Sequence, residues 1–376
     1  MKCLLPGHFR LFFPTLILSL FAAAFPIHAN GNPGEIPAVV AVIGGSPGDH
    51  CFTSANIARA FFQDRQRGGG ATRLVAERFP EPLSEKAALE LWKTLTDKEV
   101  VAAISTSRGI PATFAARAGG RGPFPLILLC SREIAPEMMG EEGPFVFSLD
   151  MNESRLLEAL SQWASRERGN WAILTDHLDA SSISRGKSVA EALKSAGCEA
   201  RILVLAGPAD TRLIHTVNKC IDDGITHLLS TLAPCGTARI VSILGKTAQR
   251  APDLFYWGEP HDDLRGMEGL SVFSQEQHPP LKGEKTGIFS GFLEDDSTRP
   301  VTIKTALACQ WILKASFSVR EGLSLTLAEA MEEVGTVESF GKSLRISPSQ
   351  RRPVSGEVFV LKSQNGRWHE VDNIRF

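Results

Sequence analysis

The chain has 376 residues, of which 43% are hydrophobic and 22% charged, and its formal net charge is −2. That length is enough for two domains of ordinary size, each with its own core. The near-neutral balance, with no basic run interleaved with aromatics, argues against nucleic acid or an anionic membrane surface as a partner.

Lys2 and Arg10 flank the start of an apolar stretch, Leu11–Phe25, interrupted by Pro14, Thr15 and Ser19. Ile27-His28-Ala29 then fits a small-residue cleavage site. Residues 1–29 therefore read as a secretory signal peptide, too short and too interrupted for a membrane span. Cys3 lies too early for a lipid anchor, and no later stretch reaches the ~18 apolar residues of a spanning helix. The mature protein is expected to be periplasmic and not membrane-spanning. Cys51, Cys130, Cys198, Cys220, Cys235 and Cys309 remain after cleavage. None has the C-x-x-C spacing of a zinc or redox motif, and both bridges and buried free thiols stay open for them.

Ala38–Ile43 reads as a buried strand, followed by the polar loop Gly44–Cys51. Ser54 is placed to cap a helix carrying Ile57, Ala58, Phe61 and Phe62 on one face. Gly68-Gly69-Gly70 stops it, and Thr72–Ala76 is a second strand. Ser84 opens a helix with Leu89, Leu91, Trp92 and Leu95. The stretch from Val100 to Ser131 is a βαβ unit: strand Val100–Ile104, polar turn Ser105–Arg108, helix Ile110–Ala118, strand Phe124–Leu129. Its two strands should lie parallel, with both polar loops at the carboxyl edge where open α/β sheets bind ligands.

The alternation restarts after the extended run Phe145–Ser148. Helix Leu156–Ala164, strand Trp171–Leu174, polar loop Asp176–Ser184 and helix Val189–Ala196 come first. Strand Ala200–Leu205, helix Leu213–Ile221, strand His227–Leu232, helix Gly236–Leu244 and strand Leu254–Trp257 follow. Leu270–Phe273 is a further apolar run, and Gln275–Arg299 is rich in proline and charge. A long amphipathic helix, Val301–Phe317, carries Ile303, Leu307, Trp311 and Ile312 on its apolar side, and Leu325–Val334 is another helix. Gly356–Leu361 and Trp368–Val371 form a hairpin with Asn365-Gly366 at its turn.

Two alternating blocks mean an α/β protein of two doubly wound parallel-sheet lobes. The long helix should return to the first lobe and the hairpin to the second. That gives lobe one as 36–147 plus 275–340 and lobe two as 148–274 plus 341–376. The lobes are then joined by three crossovers, near Phe145–Asp150, Ser271–Gln277 and Phe340–Ser347, which make a hinge with a cleft.

This order resembles the type I periplasmic binding proteins, in particular the leucine/isoleucine/valine-binding group of ABC-transporter substrate-binding proteins. The resemblance is carried by Ala38–Gly44, Val100–Ala112, Phe124-Pro125-Leu126-Ile127 before Ser131, and Pro144-Phe145-Val146-Phe147. Asn170–Asp176, Asp210-Thr211, Met267-Glu268-Gly269-Leu270 and the Ser-Gly-Glu-Val-Phe-Val run ending at Val360 continue it. It implies a ligand gripped between two lobes, with the loops after the third and fourth strands holding an amino acid's charged groups. The family's hydroxyl pair falls on Ser107 and Arg108, and its small residue plus Thr on Glu133 and Ile134. Its aromatic walls fall near Asp179–Ser181 and near Leu232 and Ala233, and its acid near Glu259. The chain has one tyrosine, Tyr256, inside an expected strand, so those aromatic walls are missing.

Read chemically, Ser105, Thr106, Ser107 and the helix start behind them form a donor-rich turn suited to a carboxylate, with Arg108 as a two-pronged partner. The same hydroxyls would serve equally as a helix cap. Ser131, Arg132 and Glu133 face the same edge, where Arg132 and Glu133 could instead pair on the surface. Across the cleft stand His177, Asp179 and Ser181, then Glu259 and His261. No metal-ligand spacing, P-loop, G-x-S-x-G elbow or H-E-x-x-H occurs, so no metal, cofactor or catalytic residue is expected. The expected function is capture of a small polar, carboxylate-bearing solute for an inner-membrane ABC importer or a sensor. A periplasmic protein–protein adaptor on the same fold is the alternative, and an enzyme ranks last.

Overall fold

The computed structural model of the protein describes residues 39–44, 51–65, 73–78, 84–106, 124–129, 145–207, 210–246, 251–258, 260, 262–275, 289–294, 298–324 and 326–376. The first lobe opens with β1 Val39–Gly44, α1 Cys51–Arg65, β2 Arg73–Arg78, α2 Glu85–Asp97, β3 Ala102–Ser105, β4 Leu126–Leu128 and β5 Val146–Ser148. Its strands lie in the order β2-β1-β3-β4-β5, all parallel. Ala103 stands opposite Leu126 and Ser105 opposite Leu128, so the two strands of the βαβ unit pair as expected. The helix expected at Ile110–Ala118 lies outside the described residues.

A parallel sheet must be covered on both faces, and β1 shows how the sequence does this. Val40 and Val42 pack to one side, Val39, Ala41 and Ile43 to the other, and all five are buried. Ser84 caps α2 by accepting a bond from the Ala87 N–H at 3.2 Å. Ser54 does not cap α1, which already begins at Cys51. Its buried hydroxyl lies 2.7 Å from Thr305 Oγ1, so a partner far along the chain has claimed it.

The second lobe follows as α3 Glu153–Glu167, β6 Asn170–Asp176, α4 Ala180–Ser195, β7 Glu199–Leu205, α5 Leu213–Asp222, β8 His227–Ser230, α6 Pro234–Leu244, β9 Asp253–Tyr256, α7 Asp262–Arg265 and β10 Ser271–Ser274. Its parallel part runs β10-β9-β8-β6-β7. In both lobes the first strand thus sits between the second and the third. Alternate residues again feed two cores: Trp171 and Ile173 join Phe255 and Phe273 on one face, Ala172 and Leu174 join Leu228 and Leu254 on the other.

Gly186 of α4 lies directly against β6, where an added Cβ would stand 2.3 Å from Thr175 Cγ2. Gly186→Ala should therefore cost about 1–3 kcal/mol through overpacking, read as a fall in the urea midpoint. Thr175→Ser in the same chain should restore most of the loss by removing the methyl group; an undiminished loss would show that the contact is not the cause.

The return begins with α8 Ser290–Glu294, α9 Arg299–Arg320 and α10 Leu327–Glu333. The long helix starts two residues before Val301, with Pro300 in its first turn where no N–H is required. Ile303, Leu307, Trp311 and Ile312 pack in the core that β1, β3 and α1 share, so the helix returns to the first lobe. Then come β11 Thr336–Ser339, β12 Lys342–Ser347, β13 Arg352–Pro353, β14 Glu357–Gln364 and β15 Arg367–Arg375. The small antiparallel sheet β11-β12-β13 is absent from the sequence reading. Its Val337, Leu344 and Ile346 pack into the first lobe's core, so the third crossing falls after Pro353 and not near Phe340–Ser347. β14 pairs antiparallel with β10, and the β14–β15 turn has Asn365 and Gly366 at φ 52° and 70°, the two left-handed residues of a type I′ hairpin.

Among the described residues no disulfide joins Cys51, Cys198, Cys220, Cys235 or Cys309. No helix among them is long and apolar enough to cross a membrane.

Candidate interlobe binding site

In open parallel sheets ligands meet the carboxyl edge beside the strand where the order reverses. In lobe one this point lies between β1 and β3, in lobe two between β6 and β8. Ser105 ends β3 and Thr106 follows it, both buried. The Thr106 N–H donates to the Ile43 carbonyl at 3.0 Å, and its hydroxyl donates to the same oxygen at 3.3 Å. The β1–β3 ladder therefore runs one residue further than expected. It commits the Thr106 N–H to the sheet, which removes it from the anion-binding turn. Ser107, Arg108, Ser131, Arg132, Glu133, Glu259 and His261 lie outside the described residues.

In lobe two the expected loop Asp176–Ser184 shrinks to His177–Asp179, because Asp179 caps α4. Its Oδ1 accepts from the Ser181 N–H at 2.9 Å and from the Ser181 hydroxyl at 2.7 Å. Burial acts to raise the Asp179 pKa, but the bonds from Ser181 and Ser182 and the charge of Arg185 outweigh it and hold the carboxyl below its ordinary value. His177 is exposed, with Nδ1 2.9 Å from the Leu205 carbonyl. These three residues share one rim. Asp262 opens the short helix α7.

Under that rim runs a relay of hydroxyls. Ser182 Oγ accepts from the Asp176 N–H at 2.9 Å and lies 2.7 Å from Thr231 Oγ1. Thr231 Oγ1 also reaches the Leu174 carbonyl at 3.1 Å, and Ser230 pairs with Thr237 at 2.8 Å. The ends of β6 and β8 and the start of α4 are thus tied into one unit, which keeps the rim rigid. Among the described residues no group of three or more metal-ligating side chains occurs.

The crossovers lie side by side. The Met151 N–H donates to Gln275 Oε1 at 2.6 Å, and Gln275 Nε2 donates back to the Met151 carbonyl at 3.3 Å. Lys342 Nζ donates to the Gln275 carbonyl at 3.1 Å, and Gly356 of the third crossing packs on Met151. Asp150, in the first crossing, pairs with Lys304 of α9 at 2.7 Å. The sequence reading missed Asp150, Lys304, Gln275 and the Arg351-Arg352 pair. One signal for Lys304 was available: it is the lone charged residue between Arg299 and Lys314, beside Ile303 and Leu307.

The doubly wound lobes of matching strand order and their adjacent crossovers define the fold of the type I periplasmic binding proteins. Among solved structures, the chain is similar to ABC-transporter solute-binding proteins of the leucine/branched-chain amino-acid type. One is the substrate-binding protein from Desulfitobacterium hafniense in complex with Leu, at 16% identity and a TM-score of 0.66, covering 90% of this chain and 100% of that one. A second is the R. palustris solute-binding protein in complex with 4-hydroxybenzoate, at 14% identity and a TM-score of 0.67, covering 89% and 96%. A third is an R. palustris solute-binding protein in complex with benzoate, at 12% identity and a TM-score of 0.64, covering 90% and 96%. No family model matches the chain, and no curated protein matches it.

Proposed function

We propose that this protein is an exported, periplasmic solute-binding protein that captures a small polar, carboxylate-bearing ligand between its lobes for an ABC importer or a sensor, and that it is not an enzyme. The observation that carries this reading is the repeated strand order, which gives each lobe a carboxyl-edge switch point beside the crossovers. The bound benzoate, hydroxybenzoate and Leu of the structural neighbours support a small carboxylate as the ligand class. Ser105, Ser107, Arg108, Ser131, Arg132 and Glu133 would line lobe one, and His177, Asp179, Ser181, Glu259 and His261 lobe two. Lobe one spans 36–147 and 275–340 together with the small sheet up to Pro353.

Binding would draw the protein toward a closed population. A thermal-shift panel of amino acids, short peptides, aromatic acids and other small carboxylates should therefore contain a stabilising compound. A ligand at about 100 times its Kd adds about 2.7 kcal/mol. Failure of the whole panel would remove this reading. The adaptor reading is favoured by one observation, the exposed apolar Leu178 and Val204 near the free edge strand β7. A partner that co-purifies from periplasmic extract and is lost in a Leu178→Asp variant would select it.

A further inference from the structure

Arg352 carries a buried charge whose hydrogen-bonding capacity is not filled among the described residues. It is 7% exposed, and its Nη2 is buried with no hydrogen-bond partner among the described residues. A guanidinium cannot escape burial by losing its proton, and a buried donor left unsatisfied is costly. Its charged neighbours are bonded to one another. Arg351 Nε bonds Glu332 Oε1 at 2.5 Å, and its guanidinium lies over the ring of Phe145 at 5.0 Å. Lys304 holds the Asp150 carboxylate at 2.7 Å. Asp150 is thus already held by Lys304, and Glu332 by Arg351. Burial lowers the Arg352 pKa, and the charge of Asp150 raises it part of the way back.

The position of this cation is also specific. The Ser148 N–H donates to the Arg351 carbonyl at 2.9 Å, which seats β13 on the carboxyl end of β5. Arg352 therefore stands at the carboxyl edge of lobe one, beside the first crossover. Arg351 holds a left-handed φ of 51°, a conformation that costs a non-glycine residue energy and that turns the chain into β13 at this point.

We infer that Arg352 anchors a carboxylate subsite at the crossover, where its planar N–H fork takes the two oxygens of an anionic group. This rests on the solute-binding reading for the statement that the carboxylate belongs to a captured solute. The chemistry follows from shape: a guanidinium matches a carboxylate in two parallel bonds, and a buried fork is worth far more than one in water. The subsite lies at the end of β5, two strands along the sheet from Ser105 at the end of β3, and involves an element, β13, outside both parallel sheets.

The test titrates sodium acetate and sodium benzoate into the full mature chain at constant ionic strength. The readout is the Arg352 Nε–Hε cross-peak in a nitrogen-15 NMR spectrum, assigned by its loss in Arg352→Met. A saturable shift with both carboxylates is expected, with none from benzamide and only an unsaturable drift from chloride. Calorimetry should show benzoate affinity falling about 30-fold in Arg352→Met, the loss of a charge-assisted pair. Arg352→Lys should keep part of it, and circular dichroism checks that both variants fold. An unmoved cross-peak, equal saturation by chloride, or unchanged affinity in Arg352→Met overturns the inference. The two readings separate cleanly. A solute found in the thermal-shift panel that binds Arg352→Met as well as wild type removes the subsite alone. Acetate saturating the Arg352 signal while the whole panel fails removes the solute-binding reading alone.

Discussion

Trp311→Ala should destabilise the first lobe by about 4 kcal/mol, the upper part of the range for deleting a buried aromatic side chain. Trp311 is wholly buried at the middle of α9. It meets the Phe147 ring edge-on at 5.2 Å and donates from Nε1 to the Met331 carbonyl at 2.8 Å. One side chain therefore joins the sheet, through Phe147, to α10, through Met331. Alanine would leave a cavity between three elements and an unsatisfied carbonyl. Urea unfolding followed by circular dichroism measures the loss. Trp311→Phe should cost less, since it keeps most of the volume and gives up the Nε1 bond. A loss under about 1 kcal/mol for Trp311→Ala would mean that the core closes over the gap.

Lys304→Met should cost about 3 kcal/mol. The Lys304 and Asp150 side chains are 10% and 6% exposed, so removing the cation strands a buried carboxylate. Arg352 remains close enough to act on Asp150, which keeps the loss at the lower end of the range for breaking a buried pair. Asp150→Asn in the same chain should recover part of it, because a neutral pair leaves no uncompensated charge. Equal stability of Lys304→Met and wild type, or a double variant worse than the single, would contradict the assignment.

Parallel strands buried on both faces are near-continuous apolar runs, so Ala38–Ile43 and Phe124–Leu129 were legible from sequence alone, as was the Asn365-Gly366 turn. What escaped was whatever depends on partners far along the chain. Ser54 has the local chemistry of a cap, yet its hydroxyl belongs to Thr305. The strands β11–β13 place only Val337, Leu344 and Ile346 in the hydrophobic core, so the one alternating stretch, Ser343–Ser347, is too short to stand out. The rim residues His177, Asp179 and Ser181 are close together in sequence, but the hydroxyl relay beneath them joins residues 49 apart. Arg351-Arg352 in a polar run reads as solvated surface. Only the fold shows that one arginine bonds Glu332 and that the other has a buried Nη2 with no hydrogen-bond partner among the described residues.

The three crossings also set the order in which the protein can be completed during synthesis. The first sheet is finished at β5, but the face that α1 shares with α9 stays only partly covered until α9 has been made, more than 150 residues later. The second sheet is finished in its parallel part at β10, yet Val358, Val360 and Ile374 of its core belong to the last two strands. Neither lobe can therefore seal its interior while the carboxyl-terminal segment is still inside the ribosome. A nascent chain of this design should stay open and protease-sensitive almost to its final residue, the reverse of the domain-by-domain maturation usual for large proteins. Such a chain remains in a threadable state for the whole of its synthesis.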